Sequence, residues 1–104
     1  MIDANLTLNQ LAMANNGVNR LVAMVGAKNF VKSDKENYVS FKFMRGAANK
    51  ANYIKITLNA MDTYDVEFGK IHGMNYKVVG EFNGVYFDQL KELFENETKL
   101  YLSL

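Results

Sequence analysis

The chain has 104 residues, 49% of them hydrophobic and 22% charged, which is globular composition and long enough to bury one core without metal or disulfide staples. With no Cys and a single His, it excludes disulfides, thiolate nucleophiles and cysteine zinc sites, and leaves little material for imidazole chemistry. The net charge of +1 conceals a sorted arrangement: Lys28 to Lys55 holds seven Lys/Arg against two acids, and Asp62 to Glu97 holds eight acids against three Lys. Such segregation can steer a partner onto one face, or can simply pair neighbouring strands.

Met1-Ile2-Asp3-Ala4-Asn5 lacks the basic residues and long apolar run of a signal peptide, and no stretch approaches the roughly 20 apolar residues of a membrane span. A cytoplasmic protein is expected. No repeat, low-complexity tract or linker divides the sequence, so residues 1–104 read as a single domain.

In chain order, the first thirty residues read as helical. Thr7-Leu8-Asn9-Gln10 has the capping-box pattern and predicts a helix beginning at Thr7, with Leu8, Leu11 and Ala12 as its apolar stripe and Asn15-Asn16-Gly17 as its end. A second helix is expected from Val18 to about Val31, with Leu21, Val22, Val25 and Phe30 near one face and Gly26 as a weak point. Two helices around a glycine turn invite a helix-turn-helix reading. The would-be recognition helix offers only Asn19, Arg20, Ala23 and Met24, too little polar reach to read several bases, so a packing hairpin is preferred.

From Tyr38 the period changes to two. Val39, Phe41 and Phe43 alternate with polar neighbours, as do Ile54, Ile56 and Leu58, and then Tyr64-Asp65-Val66-Glu67-Phe68. Folding the latter two runs about Met61 pairs Leu58 with Tyr64, Ile56 with Val66 and Ile54 with Phe68 on one face. It sets Lys55 opposite Glu67 on the other, as a cross-strand salt pair. Gly69 to Gly73 reads as a turn into a fourth strand at Asn75–Val79, and Asn83-Gly84 as a second break. A C-terminal helix follows, with Tyr86, Leu90, Leu93, Phe94 and Glu97 along one side. The ending Leu100-Tyr101-Leu102-Ser103-Leu104 alternates like an edge strand and needs cover, either from its own core or from a second protomer in a homodimer.

Three segments carry a resemblance: Asn19 to Phe30, Ile54 to Gly73, and Gly84 to Leu90 with the apolar tail. Together they resemble a set of short uncharacterised proteins of bacteriophages and related mobile elements. The resemblance covers most of the chain and implies a phage or prophage origin. That set has no assigned activity, so no functional residue is carried over.

Catalytic material is sparse. His72 reads as a turn or strand-end histidine, Asp62 as a turn residue, and Asp65 and Glu67 as same-face strand carboxylates partly explained by Lys55. Gly69-x-x-x-Gly73 has neither the spacing nor the Lys-Ser/Thr ending of a phosphate loop. The residues pointing to binding are Lys42, Arg45, Lys50, Tyr53 and Lys55, which flank or occupy the first hairpin; with Tyr38 they make stacking and phosphate contact physically available.

The expectation is an α+β domain: an N-terminal helical region, a mainly antiparallel sheet of three to five strands, and a C-terminal helix packed on it. The expected function is non-enzymatic, without cofactor or metal: a phage-type accessory protein binding a host or phage macromolecule, a protein ahead of a nucleic acid, with inhibition of a host enzyme or defence system as one form it could take. The alternative is a nucleic-acid-binding module using the basic hairpin and exposed sheet face. No membrane partner is expected.

Overall fold

A computed structural model describes residues 1–102. Two helices, α1 (Ala4–Ala12) and α2 (Gly17–Val25), precede five strands: β1 (Lys28–Ser33), β2 (Tyr38–Lys42), β3 (Tyr53–Leu58), β4 (Tyr64–His72) and β5 (Asn75–Val85). A 3₁₀ turn (Phe87–Gln89) leads into α3 (Leu90–Thr98). The strands form one antiparallel sheet in the order β1-β2-β3-β4-β5, so every strand pairs with its neighbour in sequence. The helices cover one face, which makes this an α+β architecture of two layers.

The first helix begins earlier than its capping-box pattern suggests. Asp3 is the N-cap and its Oδ1 accepts from the Leu6 amide at 3.1 Å, while Thr7 and Gln10 lie inside the helix. One turn apart on the same face, these two reach across to the sheet instead: Thr7 Oγ1 lies 3.0 Å from the Tyr64 hydroxyl, which donates to Gln10 Oε1 at 2.8 Å. The helix ends at Met13, before Asn15-Asn16-Gly17, and Gly17 already opens α2.

α2 stops at Gly26, whose φ of 68° is left-handed backbone that favours glycine. The expected helix to Val31 is therefore two elements. Phe30 lies in β1 and packs on Phe41 with ring centroids 5.2 Å apart, so the spacing that suggested a continuing helical face came from a strand. Within α2, Leu21 and Val25 are buried but Val22 is exposed. Arg20 donates to the Leu102 carbonyl at 3.1 Å, which ties α2 to the C-terminal tail.

The central hairpin has the expected register: Leu58 faces Tyr64, Ile56 faces Val66 and Ile54 faces Phe68. Val39, Phe41, Ile54, Ile56, Val66 and Phe68 form the core side of the sheet, all buried. Phe43, Phe68 and Phe94 join sheet and α3 through ring contacts of 5.5 and 6.2 Å. Leu90, Phe94 and Thr98 are the buried side of α3, with Leu93 packed against the core and Tyr86 exposed.

The turn is narrower than Gly69 to Gly73, since only Gly73 and Met74 form it. β4 runs on to His72, and β5 reaches Val85 with shifts of register between Phe68 and Gly69 and between Tyr64 and Val66. Asn83-Gly84 therefore sits at a β-bulge inside a strand rather than at a break. As for the tail, Leu100 and Tyr101 adopt no strand, and Leu102 is 0% exposed, covered by its own chain. The last two residues of the expected edge strand, Ser103 and Leu104, lie outside the described residues.

Candidate functional site

The sheet face opposite the helices is the candidate site. Strand alternation sends Tyr38, Ser40 and Lys42 of β2, Tyr53, Lys55 and Thr57 of β3, and Asp65 and Glu67 of β4 to that side. The registers arrange them in rows. One row runs Val31, Ser40, Lys55, Glu67, Glu81; the row beside it runs Lys28, Lys42, Tyr53, Gly69, Val78. The cations thus stand on β1 to β3 and the carboxylates on β4 and β5. The charge sorting of the sequence becomes a left-right division of one surface.

Lys55 and Glu67 are direct cross-strand neighbours, as expected, but they do not close into an ion pair. Lys55 Nζ lies 4.5 Å from the Tyr38 ring centroid, a cation–π placement, and Glu67 Oε2 accepts from the Tyr76 hydroxyl at 2.5 Å. Tyr76 reaches Glu67 by lying across Gly69, where an added Cβ would overlap the phenol ring. On its other side Tyr76 meets the Tyr53 ring at 85°, with centroids 5.6 Å apart. Partial burial, then the hydrogen bond to Glu67 and the nearby negative charges, raise the Tyr76 phenol above the usual tyrosine range.

Tyr53, Tyr76, Glu67, Ile71 and Met74 border a surface pocket of about 370 Å³. Tyr76 is 46% exposed, and Met74, at the tip of the β4–β5 hairpin, is fully so. Asp65 links the hairpin turn to the bulge, because its Oδ1 accepts from the Asn59 side-chain Nδ2 at 3.0 Å and from the Gly84 backbone amide at 3.2 Å. Asp62 takes a left-handed turn conformation and His72 is an exposed strand-end residue. Among the described residues, no group of three or more His, Asp and Glu could hold a metal ion.

Of the five binding residues read from sequence, the structure brings together Lys42, Tyr53 and Lys55. Arg45 and Lys50 belong to the connection from β2 to β3, which is tied down rather than loose. Met44 N donates to the Val25 carbonyl at 3.0 Å, Ala48 N to that of Thr98 at 2.8 Å, and the Asn52 side chain exchanges two 2.8 Å bonds with the Ile71 backbone. Arg45 borders a separate groove of about 440 Å³ with Met24, Lys99, Leu100 and Tyr101, on the helix side. Lys50 is exposed in a turn and is itself in the left-handed conformation.

Tyr76 and Glu67 are the site residues that sequence reasoning missed as a pair. Their meeting depends on β4 continuing past Gly69 and on the bulge that re-aims β5. Comparison with family models, curated proteins and solved structures returns no match.

Proposed function

We propose that this chain is a non-enzymatic binding protein that engages a protein partner through the open sheet face, centred on Tyr53, Lys55, Glu67 and Tyr76. One observation carries the reading: the face is divided, with Lys28, Lys42 and Lys55 on one half and Glu67, Glu81 and Asp65 on the other. A nucleic-acid strand laid across it would set phosphates against three carboxylates, whereas a protein surface can present opposite charges to both halves. Exposed aromatic rings beside these charges fit the composition of protein-binding surfaces. The resemblance of three segments to phage proteins supports an accessory role in an infected cell, with inhibition of a host enzyme or defence system as its form.

The experiment is affinity capture of the tagged protein from bacterial lysate, with and without nuclease. A protein partner survives nuclease. It is lost when Tyr53→Ala is combined with Lys55→Glu, and it is kept when Arg45→Ala is combined with Lys50→Ala, since that pair lies off the face. Sub-micromolar binding of a short oligonucleotide with a steep salt slope would instead select the nucleic-acid module.

A further inference from the structure

We propose that the pocket bordered by Tyr53, Tyr76 and Glu67 recognises a cationic side chain, and that its occupant is an arginine presented by the protein partner. This rests on the reading of the open face as a protein-binding surface and names the chemistry of its centre.

Two phenol rings border it in edge-to-face contact with each other, at 85° and 5.6 Å between centroids, so a ligand lies beside the pair and not between them. A planar guanidinium can lie on the ring face that this contact leaves open, gaining cation–π attraction from its negative quadrupole density. Glu67, a half-buried carboxylate, borders the same pocket. The Tyr76 hydroxyl occupies Glu67 Oε2 and leaves Oε1 as an acceptor for the forked donors of an arginine.

The surroundings point the same way. Glu81 is the cross-strand neighbour of Glu67, and Asp65 precedes it by two residues on the same face, so two further carboxylates stand behind Glu67 in the adjoining pocket, while Lys42 faces Tyr53 from β2. Lys55 borders the pocket, but its ammonium is drawn over the Tyr38 ring on the β2 side. Ile71 and the fully exposed Met74 form an apolar lip suited to the arginine's methylene stem, and methionine adapts its shape readily.

The test uses the full chain with ring-labelled tyrosine, followed by NMR, and two probes: acetyl-Gly-Arg-Gly-amide and the same peptide with neutral citrulline in place of arginine. The arginine peptide should shift the Tyr53 and Tyr76 ring signals saturably, with the citrulline peptide weaker by about fivefold or more. Glu67→Gln should weaken the arginine peptide by a similar factor. Tyr76→Phe keeps the ring and releases both carboxylate oxygens, so affinity should hold or rise. Should Glu67→Gln fail to fold, Tyr53→Ala replaces it with the same expected loss.

Equal binding of the two peptides, or an arginine affinity indifferent to Glu67→Gln, would overturn the proposal. So would saturation of the same ring signals by a thymidine oligonucleotide in preference to the peptide, and that result would remove the protein-binding reading as well. If the captured partner is lost with the Tyr53→Ala and Lys55→Glu combination but kept with Glu67→Gln, the pocket assignment fails alone and the surface reading stands.

Discussion

The phenol of Tyr76 lies across Gly69, filling the space in which any other residue would carry its Cβ. Glycine is needed there for close approach, since Gly69 sits within a strand where its missing side chain would otherwise weaken packing. Gly69→Ala should push the ring away from Glu67 and cost about 1–3 kcal/mol, the range for overpacked sites. Urea unfolding measures the loss, and the Tyr76 to Glu67 hydrogen bond should disappear from the hydroxyl-proton NMR spectrum of the variant.

The raised Tyr76 phenol predicts a pH dependence of one sign. Because the folded state holds this proton more tightly than the unfolded chain, the associated stability is fully present below the ordinary tyrosine value of about 10. It is lost as pH rises beyond that, through the higher folded value. Spectrophotometric titration should find a tyrosine step above the ordinary tyrosine range. Tyr76→Phe should remove that last step and flatten the alkaline limb of the stability curve.

Lys55 and Glu67 face each other, yet each uses its charge elsewhere. Exchanging both charges should be better tolerated than reversing either alone, with a coupling of only a few tenths of a kcal/mol, the low end for cross-strand pairs. A double-mutant cycle by denaturant titration checks it. Coupling near 1 kcal/mol would mean that the two side chains do pair in solution.

The Tyr64 hydroxyl joins α1 to the sheet through Thr7 and Gln10, and Thr7 is only 1% exposed. Tyr64→Phe should cost about 1–2 kcal/mol, because it leaves the buried threonine hydroxyl without this partner. Adding Thr7→Val should recover part of that loss, since the buried hydroxyl is then gone as well. Chemical denaturation of the single and double variants measures both.

The central hairpin was legible in the sequence because two independent patterns, alternating apolar residues and opposed charges, agree on one register from Ile54 to Phe68. Helical starts and stops were less so. Thr7 and Gln10 satisfy a capping-box pattern, but three residues apart they also share a helix face, and the tertiary partner Tyr64 claimed them. Phe30 and Val31 fit a helical spacing only if Gly26 is tolerated within it, and Gly26 ends the helix. The candidate site was half legible: alternation alone places Tyr53 and Lys55 on one face. Tyr76 could not be set beside Glu67 without knowing that Gly69 lies in the strand and that a bulge shifts its partner. Arg45 and Lys50 adjoin these residues in sequence, yet the hydrogen-bonded connection carries Arg45 towards the helices.

The order of the strands in the sheet has a kinetic consequence. Since each strand pairs only with its sequence neighbours, the sheet closes through short loops, which are inexpensive in chain entropy and quick to form. The long closures lie elsewhere, in Thr7 meeting Tyr64 across 57 positions and Arg20 meeting Leu102 across 82. The meander can therefore assemble first and the two ends of the chain clamp over it afterwards. A contact made late in this way, such as that of Arg20 with buried Leu102, is expected to bear on how fast the protein opens more than on how fast it forms.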